Sequence, residues 1–354
     1  MNARAAIFDG AARPLRLATR ELPTALGPGE VLVELAMSTI CGSDLHTVRG
    51  RRSEATPCIL GHEGVGRVIA AGAGREAWLS RRVTWTLASS CGACKACVEH
   101  GLPQKCRALT KVGHEPLHSG SGWNGTYASH LVLRLGATLV EIPSALPDAV
   151  AAPANCALAT MVAVTEDLPR SCRVAVIQGA GMLGLYGCAL LRSRGVARVV
   201  VVDVDPRRLA HVSAFGGEPV RESAIERLGP ASTDLVIEVT GDAGVFAEGL
   251  ALLRPGGAYH LAGLVHPSAA LALSGEALVR GCLSLRGFHN YAPRHLERAV
   301  AFLVQERLLP WERLVSPPLP LERLPEALEL AESREWPRVA LVASSKELGS
   351  TSCT

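Results

Sequence analysis

Aromatic side chains are scarce in this 354-residue chain: Phe, Tyr and Trp make up 4% of it. Proteins that bind single-stranded nucleic acid stack bases on aromatic rings, so the shortage argues against that class. No charge of one sign dominates either. Lys and Arg number 36 against 33 Asp and Glu, a net charge of +3, and no basic run marks a surface for phosphate backbones. The N-terminus, Met1-Asn2-Ala3-Arg4-Ala5, lacks the apolar core of a secretory leader. The uncharged stretch from Val174 to Leu191 is interrupted by Gln178, Gly179, Gly181, Gly184 and Gly187. A buried strand, a tight turn and a buried helix account for it better than a membrane span. These absences predict no nucleic-acid partner and no membrane partner. Hydrophobic residues, at 48%, are plentiful, and a chain of this length can bury two full-sized cores.

Cysteine is abundant, with 11 residues, and its distribution is informative. Four lie in Cys91-x2-Cys94-x2-Cys97…Cys106, and no leader precedes them. That spacing suits thiolates on a metal better than a secreted disulfide framework, and it predicts a cytoplasmic protein. Four thiolates would close a tetrahedral zinc completely, so this lobe is expected to be structural. Eight residues separate Cys97 from Cys106, and His100 within that loop is an alternative fourth ligand.

The first 150 residues suggest an all-β domain, with strands at Ala5 to Phe8, Glu30 to Leu35, Glu63 to Ala71 and Arg82 to Thr86. From about Ser171 the pattern changes. Apolar runs at Arg173 to Gln178, Ala197 to Asp203, Asp234 to Glu238 and Ala258 to Ala262 alternate with helical segments, one of them starting at Pro206. Strand and helix in turn imply a doubly wound parallel sheet, and the fold class is therefore α/β. A helix from Pro293 to Val304 leads back to short elements, and the small polar tail from Ser344 to Thr354 is expected to be disordered.

Two further constellations carry chemistry. Cys41 and His62, each in a glycine-punctuated turn, suit a zinc that keeps one position open. Cys156, just before the nucleotide-binding half, is the expected third ligand, which would set the metal in a cleft between the halves. Glu63 is either a carboxylate that orients the site or a fourth ligand. The second is Gly179-x-Gly181-x-x-Gly184, which follows a strand and opens a helix. Its turn, Gly179, Gly181, Met182, Leu183 and Gly184, would meet a dinucleotide pyrophosphate, and Asp203 the adenosine ribose. The acid favours NAD over NADP, although Arg207 and Arg208 lie close enough in sequence to recognise a 2′-phosphate.

Ile40-Cys41-Gly42-Ser43-Asp44-Leu45-His46, Gly61-His62-Glu63, the four-Cys lobe and the glycine turn together closely resemble the zinc-dependent medium-chain alcohol dehydrogenases, over about Arg4 to Ala343. The resemblance implies a GroES-like catalytic domain over 1–156 and 292–354, with its zinc lobe at about 90–107. A Rossmann NAD-binding domain would occupy 157–291. It implies two Zn2+ per chain, NAD, an alcohol or aldehyde substrate and a homodimer or homotetramer. By position, Ser43 matches the hydroxyl that passes the alcohol proton on, His46 the relay histidine, and Thr160 a contact of the nicotinamide. The loop from Cys97 to Cys106 is one residue longer than the family's usual one, so a local bulge or His100 has to compensate. Gly101-Leu102-Pro103-Gln104-Lys105-Cys106, Lys111-Val112-Gly113-His114-Glu115, Ala151-Ala152-Pro153-Ala154-Asn155-Cys156-Ala157 and Gly287-Phe288-His289-Asn290-Tyr291 look like the branch associated with phosphonate catabolism. That likeness implies a hydroxyalkyl phosphonate or its aldehyde, with Lys111, His114, His118 and His289 as candidate contacts. A polyol or amino-alcohol substrate on the same machinery is the alternative.

Overall fold

The computed structural model describes residues 2–11 and 13–343; the tail expected to be disordered lies outside them. The chain forms two compact units. One holds the described residues of Met1–Cys156, Ala292–Arg307 and Trp311–Thr354, the other Ala157–Tyr291 with Leu308–Pro310.

The first unit is built on a seven-stranded sheet around the strand Val31–Ile40. Both faces of that strand are covered, so its side chains divide by period two. Val31, Val33 and Leu35 pack with Val68, Val83 and Trp85, whereas Leu32 and Ile40 pack with Ile7, Ile59, Trp123 and Tyr127. Two pairings set up the chemistry at its C-terminal end. Thr39 stands opposite Glu63 of the strand Glu63–Ala71, and Ile40 opposite Val339 of the strand Val339–Val342. That register brings Arg338, from late in the chain, beside Cys41 and Glu63.

The second unit carries a six-stranded parallel sheet. Its strands run in the order Glu218–Arg221, Arg198–Asp203, Val174–Gln178, Thr233–Glu238, Leu253–Leu261 and Ser284–Gly287. This is the doubly wound order of dinucleotide-binding folds, with the first strand of the unit at the centre. The central strands are near-continuous apolar runs because helices cover both faces. The helix expected from Pro206 is a single turn, Pro206–Leu209, whose first N–H groups are capped by Asp205. A 3-10 turn, Val212–Phe215, follows and closes at Gly216 with φ of 80°. Among the described residues, no helix is long and apolar enough to cross a membrane.

Candidate functional site

Cys41, His62, Glu63 and Cys156 converge in the first unit, with one ligand atom from each inside a 4.8 Å sphere of mutual distance. The Cys41 and Cys156 sulfurs are 4.0 Å apart, and His62 Nε2 is 3.3 Å from Cys156 Sγ. On a zinc tetrahedron with Zn–S near 2.3 Å, two thiolates stand about 3.8 Å apart, so these spacings fit one ion. Two thiols and an imidazole, with Cys41 and His62 buried and Cys156 half-buried, are a donor set that a divalent soft-to-borderline metal satisfies.

Nε2 is the nitrogen that faces the sulfurs. Nδ1 of His62 points to Asp44 Oδ1 at 3.4 Å, and the other oxygen of Asp44 accepts the Cys41 backbone N–H at 2.9 Å. One buried carboxylate thus bonds the Cys41 turn and lies within ion-pair distance of His62. Burial opposes charge on His62, but Asp44 and the Cys41 thiolate outweigh it and raise its pKa well above the usual imidazole value. The Cys41 thiol is lowered, chiefly by the hydrogen bond from Cys156, with Arg338 assisting against burial; the Cys156 thiol is correspondingly raised.

Glu63 is wholly buried and its oxygens are already engaged. Arg338 Nε and Nη2 donate to it at 2.8 and 2.9 Å, and the Thr39 hydroxyl at 2.5 Å. Burial pushes its carboxyl up to about 7 against the pull of Arg338. Arg338 Nη2 also lies 3.5 Å from Cys41 Sγ. Glu63 thus lies within the cluster of possible ligands while both its oxygens are bonded by Arg338. Asp44, Arg338 and Thr39 were not singled out from sequence. Asp44 lay inside the quoted motif, while Arg338 gave only the weak signal of a charge at the head of an apolar strand.

Ser43 and His46 lie three residues apart on the helix Gly42–Val48, hence on one face, and both are half-buried. Thr160, in the helix Ala157–Val164 of the second unit, is half-buried.

In the lobe, Cys91, Cys94, Cys97 and Cys106 also gather within 4.8 Å. Cys106 Sγ is 3.4 Å from Cys91 Sγ and 3.8 Å from Cys94 Sγ, and Cys94 is 3.5 Å from Cys97. Between Cys97 and Cys106 the chain turns at Gly101, with φ of 63°, and at the 3-10 turn Pro103–Lys105. His100 is outside the cluster. Backbone N–H groups of Arg107 and Cys97 bring the Cys94 thiol down to about 6, the behaviour of a sulfur prepared for a cation.

In the second unit, Gly179 has φ of 112°, and a Cβ on Gly184 would fall 1.9 Å from the Gly179 carbonyl oxygen. Only glycine allows this closeness of turn and helix. The helix Met182–Ser193, which begins with Met182, Leu183 and Gly184, has Gly181 as N-cap and no side chain on its first N–H groups, so they are available to an anion. Asp203 accepts from Ala180 N at 2.8 Å and Asp205 N at 2.9 Å, and Arg208 Nη1 is 3.6 Å away. Each carboxylate oxygen keeps a second lone pair for a ribose hydroxyl. Arg207 is drawn to Asp205 at 2.9 Å, so both arginines are already partnered by acids.

Of the residues suggested for an anionic substrate group, His114 stacks on His62 in the first unit, Lys111 is a half-buried residue of the same unit, His118 is exposed, and His289 is an exposed residue of the second unit.

Residues 27–144 match the family model described as the alcohol dehydrogenase GroES-like domain, and 147–335, more than half of the chain, that of the glucose dehydrogenase C-terminus. A 5-exo-hydroxycamphor dehydrogenase of Pseudomonas putida is 29% identical over 86% of this chain and 90% of its own. A D-altritol 5-dehydrogenase of Agrobacterium fabrum is 30% identical over 87% and 91%. The crystal structure of an alcohol dehydrogenase from Thermotoga maritima is similar with a TM-score of 0.89, at 29% identity, covering 97% of this chain and 99% of that one. The chain belongs to the zinc-type medium-chain alcohol dehydrogenase family. It is accordingly an oxidoreductase with a GroES-like domain and a Rossmann-type parallel sheet.

Proposed function

We propose that the protein is a zinc-dependent, NAD-linked alcohol dehydrogenase that interconverts a polar, phosphonate-bearing alcohol and its aldehyde in the cytoplasm. The observation that carries this reading is the convergence of Cys41 Sγ, His62 Nε2 and Cys156 Sγ on one point. When bound, zinc would supply Lewis acidity to the substrate oxygen and NAD the hydride acceptor. The chain's own residues do the rest. Cys41, His62 and Cys156 would hold the metal; Asp44 lies 3.4 Å from His62 Nδ1, and Glu63 with Arg338 stands behind Cys41. Ser43 takes the proton of the alcohol and His46 carries it outward. The turn from Gly179 to Gly184 would hold the pyrophosphate and Asp203 the ribose, with Arg208 and Thr160 as the further residues that would meet the cofactor. The pairing of Arg207 and Arg208 with Asp205 and Asp203 supports NAD over NADP. Cys91, Cys94, Cys97 and Cys106 hold a second, structural zinc. A homodimer or homotetramer, and domains at 1–156 with 292–354 and at 157–291, complete the reading.

A second substrate class has specific support: the relative named D-altritol 5-dehydrogenase favours a polyol. Measuring NAD reduction with hydroxyalkyl phosphonates, sorbitol, threonine and simple alcohols separates the two. Turnover confined to polyols removes the phosphonate reading, and no turnover with any alcohol removes both.

A further inference from the structure

Asn155 is a wholly buried amide that the proposed chemistry does not use. It ends the 3-10 turn Ala152–Asn155 and directly precedes Cys156, and its Nδ2 donates to the backbone carbonyl of His62 at 3.0 Å. One hydrogen bond therefore joins segments 93 residues apart, at the main chain of one ligand and one position ahead of another. Water cannot take the place of either partner at this depth, so the bond is costly to break.

The local backbone shows what this bond supplies. Cys156 belongs neither to the turn before it nor to the helix Ala157–Val164 after it, with φ and ψ of −123° and −79°. Its N–H reaches the Pro153 carbonyl only at 3.4 Å, which is long for such a bond. Regular secondary structure thus does not fix the place of the Cys156 sulfur. His62 is held differently. Gly61 ahead of it turns at φ of 86° and accepts from Thr126 N at 2.9 Å, and the strand Glu63–Ala71 begins just after it. The Asn155 amide ties the looser segment to the firmer one, and the Cys156 sulfur comes to rest 3.3 Å from His62 Nε2.

We propose that Asn155 is a positioning residue of the metal centre: its amide sets Cys156 against His62 and so governs how tightly the Cys41, His62 and Cys156 donors hold a zinc ion. The proposal rests on the reading of these three residues as zinc ligands. The cluster of Cys91, Cys94, Cys97 and Cys106 has no part in this bond, so its ion serves as an internal reference.

Chelator competition on the full-length, zinc-loaded protein tests it, together with cadmium NMR of the cadmium-loaded form, which gives one resonance per site. Asn155→Leu keeps the volume and removes the donor; Asn155→Ala adds no atoms and keeps the test open should Asn155→Leu not fold. Each should weaken zinc binding at the Cys41 centre about tenfold or more, the usual effect of losing a group that orients a ligand. Each should also shift the cadmium resonance of that centre, while the ion of the four-cysteine cluster and its resonance stay as in wild type. Asn124, buried in the same unit with its Nδ2 donating to the Pro116 and Ser119 carbonyls at 3.2 and 2.8 Å, is the control for packing. Asn124→Leu should lower the melting temperature and leave both ions as tightly held as before. Undiminished zinc affinity in the Asn155 variants, or equal loosening in Asn124→Leu, overturns the proposal. So does loss of both ions in both Asn155 variants, which makes the amide a matter of general stability. A wild type that takes up zinc at the four-cysteine cluster alone overturns the proposal together with the reading it rests on.

Discussion

Cys41 and Arg338 fix what single residues contribute. Cys41→Ser exchanges a soft thiolate for a hydroxyl, so turnover should vanish and metal content fall by about one zinc per chain, while the affinity for NAD persists. Metal analysis by mass spectrometry and calorimetry with NAD read the two outcomes separately; undiminished turnover would refute the mechanism. Arg338 is the sole cation bonded to the wholly buried Glu63 among the described residues. Arg338→Met strands that carboxylate and should cost about 3–5 kcal/mol in urea unfolding, the typical loss when one partner of a buried pair is removed. Adding Glu63→Gln should recover part of the loss. If Arg338→Met unfolds at the wild-type midpoint, the pair is not structural.

At the scale of elements, two features of the parallel sheet make predictions. Gly184→Ala places a methyl 1.9 Å from a backbone oxygen, and backbone cannot step aside as a side chain can. The turn and the helix must separate, and NAD binding should weaken by about tenfold or more, each factor of ten being about 1.4 kcal/mol. Calorimetry on the folded variant checks this; unchanged affinity would separate the turn from the cofactor. Asp234 ties the start of the central strand, accepting from Arg173 N and Val174 N at 2.8 Å each and from Arg254 Nε at 2.5 Å. Burial raises its pKa, but the Val174 and Arg173 N–H groups and Arg254 outweigh it, and the net shift is downward. A depressed carboxyl adds stability that is full above its unfolded pKa of about 3.9 and is lost as pH falls through the lower folded value. Asp234→Asn should therefore be less stable than wild type at pH 7, by about 1–3 kcal/mol, with the gap closing in acid. A gap that persists unchanged to pH 2 would show that the charge is irrelevant.

The same elements show what sequence could and could not reveal. The strands at Val174, Arg198 and Thr233 were visible because burial on both faces leaves a continuous apolar run. The edge strands Glu218–Arg221 and Ser284–Gly287 were not singled out, since half-exposed edges carry Glu, Arg and Ser and no run survives. The clustered cysteines and His62 were visible because short motifs keep them in fixed turns. Asp44 and Arg338 escaped because their roles arise from partners brought together only by strand register and turn packing.

Taken as a whole, the molecule should hold about two zinc ions per chain, one on each cysteine-containing cluster. Cys94→Ser should lower that to about one, and because metal binds the native state alone, it should also lower the melting temperature. A chain with no zinc, or full stability after chelation, would contradict the donor geometry. The strand Val339–Val342 carries a consequence for synthesis. Arg338 follows Glu63 by 275 residues, yet it neutralises that acid within the innermost layer of the catalytic half. A ribosome delivers the acid long before its counter-ion, so the first unit cannot close around Glu63 until Arg338 has emerged. Fragments ending ahead of Arg338 should therefore leave Glu63 without its counter-ion and be prey for proteases.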